Sequence, residues 1–216
     1  MEFSIEAQKE FWNNRFKKEG KVWSDSASAT AFYALELFRQ HGVKKILVPG
    51  SGYGRNTKLF SEAGLDVSGI DISSISCGMA NKFDTQTSFH CGSVLDMSFL
   101  PDNYDAIYCF NTLHLFYENE RRIFITECSD RLKKGGLIFF TVFSEYEPSY
   151  GKNRSMEKDT YESRPGRPTH YFSDDDLRWH FKKFKVLVTG KLNESEDHSQ
   201  GAHIHRLRYI FAQKIS

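Results

Sequence analysis

Short apolar runs alternate along the chain with segments whose apolar residues recur at the spacing of an amphipathic helix. Runs rich in β-branched and aromatic residues are typical of strands that are buried on both faces of a sheet. Such runs occur at residues 44–49, 66–71, 87–92, 104–110 and 137–143. Helical spacing lies between them, at residues 55–63 and 118–133, and each of these segments runs to a glycine, a frequent residue at helix ends. The alternation predicts an α/β fold, a mostly parallel sheet with helices on both faces.

The two ends of the chain depart from this alternation. Residues 1–42 predict a helix, a turn and a second helix. Residues 144–172 hold most of the prolines and show no clear period, which predicts a long irregular connection. Ser173 then precedes three aspartates, an arrangement typical of a helix N-terminus. Two final strands are predicted, joined by a polar segment, over residues 184–192 and 204–213.

The composition indicates a globular protein without a specialised surface. The 216 residues carry 29 basic and 28 acidic side chains, a net charge of +1, so no broad basic face for nucleic acid is expected. The N-terminal segment is polar and acidic, unlike a signal peptide, and no apolar run is long enough to cross a bilayer. Four widely spaced cysteines predict reduced thiols, at least two of them buried in strands. We expect one soluble, cytoplasmic domain over residues 1–216 with no membrane or nucleic-acid partner.

A glycine-rich loop follows the first predicted strand. Gly50, Gly52 and Gly54 stand at alternate positions directly before a helix, where bare backbone lets a ligand reach main-chain N–H groups. A loop of this kind can also be no more than a tight turn. Here, however, the next strand ends at Asp71, about 20 residues on, where a carboxylate accepts hydrogen bonds from ribose hydroxyls. Strand, loop, helix, strand and acid together predict a nucleoside-binding site.

The spacing of the glycines separates the possible nucleosides. The dinucleotide fingerprint has its third glycine three residues after the second, and that position is Arg55. A P-loop ends in Gly-Lys-Ser or Gly-Lys-Thr, which this loop lacks. The pattern Gly-x-Gly-x-Gly resembles instead the first motif of the class I S-adenosylmethionine-dependent methyltransferases, and the resemblance covers residues 44–143.

This resemblance implies a Rossmann-like fold, with a mostly parallel seven-stranded sheet that ends in an antiparallel hairpin. It also implies S-adenosyl-L-methionine as the cofactor. The chain then divides into a helical cap (residues 1–42), a cofactor-binding core (43–143) and a substrate-side segment of loop, helix and hairpin (144–216). The residues that match the cofactor site of the family are Gly50, Ser51, Gly52, Tyr53, Gly54, Asn56, Asp71, Ile72, Ser93, Val94, Phe110 and Asn111.

Three positions depart from the usual motifs of the family. Val48 stands where an acid often precedes the first glycine, and Ser93 stands where the third motif commonly has aspartate. The adenine amino group is therefore expected to contact Ser93 or Asp96. Lys134 replaces the proline of the common "LKPGG". None of these changes removes the cofactor site.

The N-terminal segment carries Trp12, Arg15 and Trp23, and the glycine loop reads "VPGSGYG". Together these features resemble the thiopurine and thiol or halide methyltransferases, in which a tryptophan-rich segment covers the cofactor. The "YGRN" of the loop also resembles tellurite-resistance methyltransferases. Aromatic faces suit a sulfonium cation and an arginine pairs with a carboxylate, so the resemblance implies a cofactor cap and a small-molecule acceptor. The alternative is that the aromatic residues only form the apolar stripe of an amphipathic helix.

Methyl transfer requires the protein to align the acceptor, exclude water and remove a proton if the acceptor is not already ionised. His114 follows the fourth strand, at the edge where open α/β sheets bind ligands, and is the best single candidate for a base. A purely structural histidine is the alternative. The other candidates for a base are Tyr117, Tyr146, His170, His203 and His205.

Two further groups of residues are candidates for acceptor binding. His203 and His205 share one face of the last predicted strand, where they suit acceptor binding, a structural role or, with Asp197 or His198, a metal. We expect no metal. The 144–172 segment has aromatic and basic residues that suit either a lid over an anionic or aromatic acceptor or a solvated loop, namely Tyr146, Tyr150, Arg154, Arg164, Arg167, His170 and Tyr171.

The sequence therefore predicts an S-adenosylmethionine-dependent methyltransferase for a small molecule, with soft nucleophiles such as thiols and halides as the favoured acceptors. One alternative is a catalytically idle nucleoside-binding or regulatory protein on the same fold. Another is a nicotinamide-dependent oxidoreductase, against which Arg55 argues.

Overall fold

The structure is a computed structural model that describes residues 4–198 and 201–215, without the side chains of 196–198 and 201–203. Its strands are β1 (Lys45–Pro49), β2 (Asp66–Asp71), β3 (Ser88–Cys91), β4 (Tyr104–Phe110), β5 (Leu132–Phe143), β6 (Ser155–Glu157), β7 (Thr160–Arg164), β8 (Arg167–His170), β9 (Phe184–His198) and β10 (Gly201–Lys214). Its α-helices are α1 (Ile5–Glu19), α2 (Ala29–Gln40), α3 (Arg55–Glu62), α4 (Ser74–Phe83), α5 (Glu118–Arg131) and α6 (Asp174–His180). A 3₁₀ turn spans Leu113–Leu115.

Seven strands form the central sheet, in the order β3-β2-β1-β4-β5-β10-β9. The pairs from β3 to β5 are parallel, whereas β10 pairs antiparallel with both β5 and β9. The parallel strands at the centre are apolar because helices cover both of their faces. The Rossmann-like fold, the seven strands and the terminal hairpin are therefore confirmed.

Each face of the sheet carries its own apolar core. Phe38 of α2 and Phe60 of α3 are fully buried on one face. Phe124 of α5 and Phe181, directly after α6, are buried on the other. Since full burial of such a side chain stabilises the fold by about 1.5–3 kcal/mol, these two layers hold the helices to the sheet.

Serine hydroxyls begin four of the described helices, α1, α2, α4 and α6. Each accepts a hydrogen bond from a backbone N–H three residues further on. Caps of this kind contribute about 1 kcal/mol each. The predicted cap at Ser173 is among them and is confirmed, whereas α4 was not predicted. None of the helices in the described ranges is long and apolar enough to cross a membrane.

The prediction of an irregular connection over residues 144–172 was wrong. Strands β6, β7 and β8 form a second, antiparallel sheet there, with turns at Asp159 (φ 53°) and Gly166 (φ 76°). Its strands are only three to five residues long, too short to show a period. The polar segment before residue 204 was also misassigned, because β9 and β10 extend through most of it.

The prediction that at least two cysteines are buried in strands was also wrong. Cys109 is buried in β4, but Cys77 and Cys128 are buried in helices α4 and α5. Cys91 is exposed on β3, a strand at the edge of the sheet. All four are free thiols, as predicted.

Candidate active site

A cavity of about 580 Å³ lies at the carboxyl ends of the parallel strands. Residues at or within two positions after the ends of β1, β2, β3 and β4 line one side of it, among them Gly50, Asp71, Ser93 and Asn111. Helix α1 and strand β8 also contribute lining residues. Open α/β sheets bind ligands at this edge, and the volume suits a cofactor together with a small molecule.

The glycine loop requires its glycines for two reasons. Gly50 and Gly52 have φ of 69° and 56°, in the left-handed region that other residues avoid. A Cβ on Gly50 would lie 2.1 Å from Oγ1 of Thr112, so there is no space for a side chain. Gly54, with φ of 91°, is the N-cap of α3 and does not line the cavity. The bare loop therefore presents backbone to the cavity at Gly50 and Gly52.

Asp71 holds this loop to the end of β2. Its carboxylate is only 9% exposed and accepts hydrogen bonds from the N–H of Gly52 (2.9 Å), the N–H of Ser73 (2.9 Å) and the hydroxyl of Ser76 (2.8 Å). Burial raises the pKa of Asp71, and these three hydrogen bonds oppose that rise. The acid is thus fixed in the wall of the cavity.

Ser93 and Asp96, the two alternatives for contact with adenine, differ in whether they line the cavity. Ser93 and Val94 line the cavity next to Ile72. Asp96 is exposed and accepts a hydrogen bond from the Ser98 hydroxyl (2.7 Å), and that bond lowers its pKa. Of the two alternatives, only Ser93 lies at the cavity.

The cap is attached to the glycine loop through Tyr53. This side chain is 1% exposed, and its hydroxyl donates to the backbone oxygens of Trp23 (2.5 Å) and Ser24 (2.8 Å). Its ring packs against Trp23 and Phe16, with centroids 6.3 Å apart in both pairs. The loop and the cap therefore form one cluster around Tyr53.

Arg15 lies between the two tryptophans of the cap. Its guanidinium carbon is 5.5 Å from the ring centre of Trp12 and 5.4 Å from that of Trp23. It also forms an ion pair with Glu19, at 3.3 Å. All three of the predicted cap residues line the cavity.

Residues at the end of β4 have an unusual backbone. Asn111 has φ of 50°, and its N–H donates to the backbone oxygen and the hydroxyl of Thr141 (3.2 and 3.1 Å). A non-glycine residue in this region costs about 1–3 kcal/mol and is typical of functional sites. Phe110 and Asn111 line the cavity, as does Asn56, whose amide oxygen accepts from the N–H of Ser28.

His114 is buried, at 3% exposed, and lines the cavity. Its ring stacks on Phe143 at 4.1 Å, and Phe143 stacks on His205 at 4.8 Å. Within the described residues its Nδ1 has no hydrogen-bond partner. Burial holds the pKa of His114 well below its ordinary value, and Arg167 and His205 lower it further, so the ring is neutral at neutral pH.

His205 also lines the cavity, and its Nδ1 lies 2.7 Å from Oε1 of Glu147. Tyr146 and His170 do not line it. Tyr146 is 50% exposed beside Lys191. His170 is buried, with its two ring nitrogens bonded to Thr160 and Asp176, so it ties β8 to α6.

The side chains of His198 and His203 lie outside the described residues. Among the side chains that are described, no group of three or more His, Cys, Asp or Glu could hold a metal ion.

Sequence analysis did not identify several residues of the cavity wall. The only signal for those on the small sheet was its basic and aromatic composition. From that sheet and the segment before it, the residues missed are Ser149, Asn153, Ser163 and Thr169, whereas Arg164, Arg167 and Tyr171 also line the cavity and were among the candidates. The other missed residues come from α1, α3 and the neighbourhood of the 3₁₀ turn, namely Gln8, Phe16, Glu19, Arg55, Thr112, Leu115, Phe116 and Phe143.

Comparison with known proteins identifies the core of the chain. Residues 47–140 match the family model described as a methyltransferase domain. This match covers less than half of the chain and indicates a methyltransferase domain there. A curated relative of the chain is the glycine/sarcosine N-methyltransferase of Aphanothece halophytica, 22% identical over 165 residues, which are 72% of this chain and 57% of the relative. The chain thus spans little more than half the length of that relative.

Solved structures of other proteins have the same fold as this chain. One, from work on the conversion of a disulfide bond into a thioacetal group during echinomycin biosynthesis, has a TM-score of 0.75 and 15% identity and covers 95% of this chain and 92% of its own. Another is the 1,6-didemethyltoxoflavin-N1-methyltransferase of Burkholderia thailandensis with bound 1,6-didemethyltoxoflavin and S-adenosylhomocysteine. Its TM-score is 0.71 at 16% identity, with 97% of this chain and 88% of that chain covered.

Three features of the cavity bear on whether S-adenosylmethionine fits it. The glycine loop exposes backbone where a Cβ at Gly50 would clash. The hydroxyl of Ser51 is buried at the cavity without a hydrogen-bond partner among the described residues. Asp71 is fixed in the wall at the expected ribose position, so the residues present fit the cofactor.

Proposed function

We propose that the protein transfers the methyl group of S-adenosylmethionine to a small-molecule acceptor in this cavity, and that cap, core and substrate-side segment act as one domain. The observation that supports this most is the arrangement of two unlike sets of residues around one cavity. Strand ends and cap carry the groups expected to bind a nucleoside sulfonium. The 3₁₀ turn, β8 and β10 carry His114, Arg167 and His205.

On the cofactor side, each part of S-adenosylmethionine is assigned to a residue of the cavity wall. We assign Asp71 to the ribose hydroxyls, Ser93 to the adenine edge and Arg15 to the methionine carboxylate. Trp12 and Trp23 present aromatic faces, which attract a sulfonium cation. The cap around Tyr53 also covers the cavity and excludes water.

When bound, the cofactor supplies a methyl group on a positively charged sulfur, so that a new bond to the acceptor forms as the carbon–sulfur bond breaks and S-adenosylhomocysteine is left. The residues of the chain hold the acceptor in line and exclude water. His114 is the group available to take a proton from a protonated acceptor. Its lowered pKa makes the ring a weaker base than an exposed histidine, which favours acceptors that are already ionised.

A thiol or another soft nucleophile is accordingly our first candidate for the acceptor. It also agrees with the resemblance of the glycine loop and the cap to thiol-type methyltransferases. A nitrogen acceptor is the second candidate, supported by the glycine/sarcosine N-methyltransferase among the relatives.

The test of this function has two stages. Calorimetry with S-adenosylhomocysteine and NAD tests the cofactor, and tighter binding of NAD would overturn the assignment. A screen of thiols, halides, amines and hydroxyl compounds for release of S-adenosylhomocysteine then tests catalysis. Cofactor binding without turnover on any acceptor would favour an idle nucleoside-binding protein. With a thiol acceptor, His114→Ala should slow turnover by no more than about tenfold, against roughly 10²–10⁴ for loss of a general base.

A further inference from the structure

Two arginines of the small sheet line the cavity. Arg164 ends β7 and Arg167 begins β8, on either side of the turn at Gly166. Their guanidinium carbons lie 5.7 and 5.0 Å from the ring centre of Phe11 in α1. The tip of this hairpin therefore brings two positive charges to the cavity beside the cap.

These two charges have no acid to balance them. Within the described part of the chain, neither arginine forms an ion pair with a carboxylate. Nε of Arg167 donates to the hydroxyl of Ser163 at 3.0 Å. Burial lowers the pKa of Arg167 to about 10, with Arg164 and Arg15 adding repulsion. Arg164 is exposed, but Arg167 is only partly exposed. A positive charge with little access to water and no ion-pair partner is costly for a folded protein, so Arg167 is a candidate for ligand binding.

Other arginines with little exposed side chain do form ion pairs with carboxylates. Arg208 pairs with Glu145 at 2.5 Å, and Arg121 lies 3.7 Å from Glu157. At the cavity itself, Arg15 pairs with Glu19. Arg121, Arg208 and Arg15 thus each have a carboxylate partner, whereas the half-buried Arg167 and the exposed Arg164 have none among the described residues.

Arg167 reaches both sides of the cavity: its guanidinium carbon is 5.9 Å from the ring centre of Trp12 in the cap, and β8, which it begins, packs against the 3₁₀ turn that carries His114. Arg167 is among the charges that lower the pKa of His114, and it acts on Tyr171, a residue of the same wall. The cofactor carboxylate already has a candidate partner in Arg15. An anion at Arg164 and Arg167 would lie among neutral polar side chains, those of Ser149, Asn153 and Thr169.

We propose that Arg164 and Arg167 bind an oxyanion group, a carboxylate or a phosphate, that the methyl acceptor carries in addition to its nucleophilic atom. This inference rests on the proposed function and narrows its substrate class. A planar guanidinium donates two parallel hydrogen bonds to such a group, which anchors the acceptor at one end and leaves its other end free. Arg167 is the principal anchor because it is the more buried of the two.

The test compares matched pairs of small molecules that differ only in the charge. Suitable pairs are benzoate with benzamide, and 3-mercaptopropanoate with 3-mercaptopropanamide, and phenyl phosphate serves as the phosphate probe. Affinities are measured by ligand-observed NMR, both without and with saturating S-adenosylhomocysteine. We expect each carboxylate to bind at least about tenfold more tightly than its amide. The relative affinities of benzoate and phenyl phosphate identify which oxyanion the site prefers.

Two variants connect this preference to the site. Arg167→Gln should abolish the preference while the affinity for S-adenosylhomocysteine stays within about threefold. Arg154→Gln, at an exposed position directly before β6, is the matched control and should keep the preference. Thermal unfolding of each variant verifies that it is folded, and Arg167→Lys, which keeps the charge, should retain part of the preference.

Three results would overturn the proposal. The first is equal binding of carboxylate and amide by the wild-type protein. The second is a preference for carboxylate over amide that survives in Arg167→Gln. The third is a loss of S-adenosylhomocysteine affinity in Arg167→Gln, which would assign this arginine to the cofactor. If wild-type protein does not bind S-adenosylhomocysteine, the proposed function fails. The oxyanion preference is still measured on the protein alone, so the two failures are distinguishable.

Discussion

The two sides of the cavity are built in different ways. The cofactor side consists mainly of backbone at strand ends, with Gly50, Gly52 and Asp71 linked by hydrogen bonds over a short span of sequence. The acceptor side consists of side chains from distant segments, such as His114 and Arg167, which meet only in the folded chain.

This difference predicts different sensitivity to mutation. A backbone site depends on dihedral angles and on the absence of side chains, so one added methyl group disrupts it. A side-chain site depends on charge and protonation, so its changes appear first in pH dependence and in the choice of acceptor. The acceptor side is also where relatives with the same fold are free to differ, because it does not carry the cofactor motifs.

The largest effect is expected for Gly50→Ala. The new Cβ would lie 2.1 Å from Oγ1 of Thr112 at a φ of 69°, so crowding adds to backbone strain. We expect a loss of about 2–5 kcal/mol in the free energy of unfolding, measured by urea denaturation. Gly42→Ala is the control, since φ is 67° there but the space is open, and only about 1–2 kcal/mol should be lost. Equal losses in the two variants would show that the loop is not tightly packed.

The second effect concerns Asp71→Ala, which removes the carboxylate that holds the loop and is assigned to the ribose. We expect S-adenosylhomocysteine to bind about 2–3 kcal/mol more weakly by calorimetry, roughly 30–150-fold. Asp66→Ala, at the exposed start of the same strand, is the control and should bind as wild type does. A change of less than threefold in Asp71→Ala would remove this acid from the proposed site.

The third effect tests the acceptor side through pH. The folded pKa values of His114 and His170 are both lowered, chiefly by burial, although Asp176 opposes the shift at His170. Below about pH 6.5 the unfolded state therefore binds more protons, and the free energy of unfolding falls as the pH falls. Each histidine contributes up to about 1.4 kcal/mol per pH unit between its folded pKa and the unfolded value.

Urea denaturation between pH 7.5 and 5 measures this slope. His114→Phe should make it shallower, because it removes one titrating group while keeping a ring next to Phe143. Phe143→Leu is the control, since it weakens the stack without removing a titrating group, and the slope should stay as in wild type. If the pH dependence of the free energy of unfolding is unchanged in His114→Phe, His114 is not a buried neutral ring in the folded protein.

The smallest effect is expected at the cap. The Tyr53 hydroxyl holds the backbone at Trp23 and Ser24 to the glycine loop, so bound cofactor should order mainly the first part of α1. We expect hydrogen exchange over residues 8–16 to slow by about threefold or more when S-adenosylhomocysteine is added, with little change in α2 as an internal control. Equal exchange with and without the ligand would support a permanently packed helix.

Local features of the chain predicted well which strand ends form one wall of the cavity. A strand, a glycine loop, a helix and an acid lie within about 30 residues, and backbone geometry alone brings the acid to the loop. Ser93, Asn111 and the three cap residues line the cavity as predicted, although the roles of these residues stay predictions.

Only the tertiary structure determined the acceptor side. His114, His170 and His205 look alike as candidates in the sequence, yet His114 and His205 stack on Phe143 at the cavity whereas His170 is bonded between Thr160 and Asp176. Arg167 lies 53 positions from His114 in the sequence and reaches the same cavity because β8 packs against the 3₁₀ turn. The sequence by itself determined the succession of strand, glycine loop, helix and acid, because these features depend on neighbours along the chain. Burial, pairing and charge at the acceptor depend on contacts between distant segments, which no local pattern records.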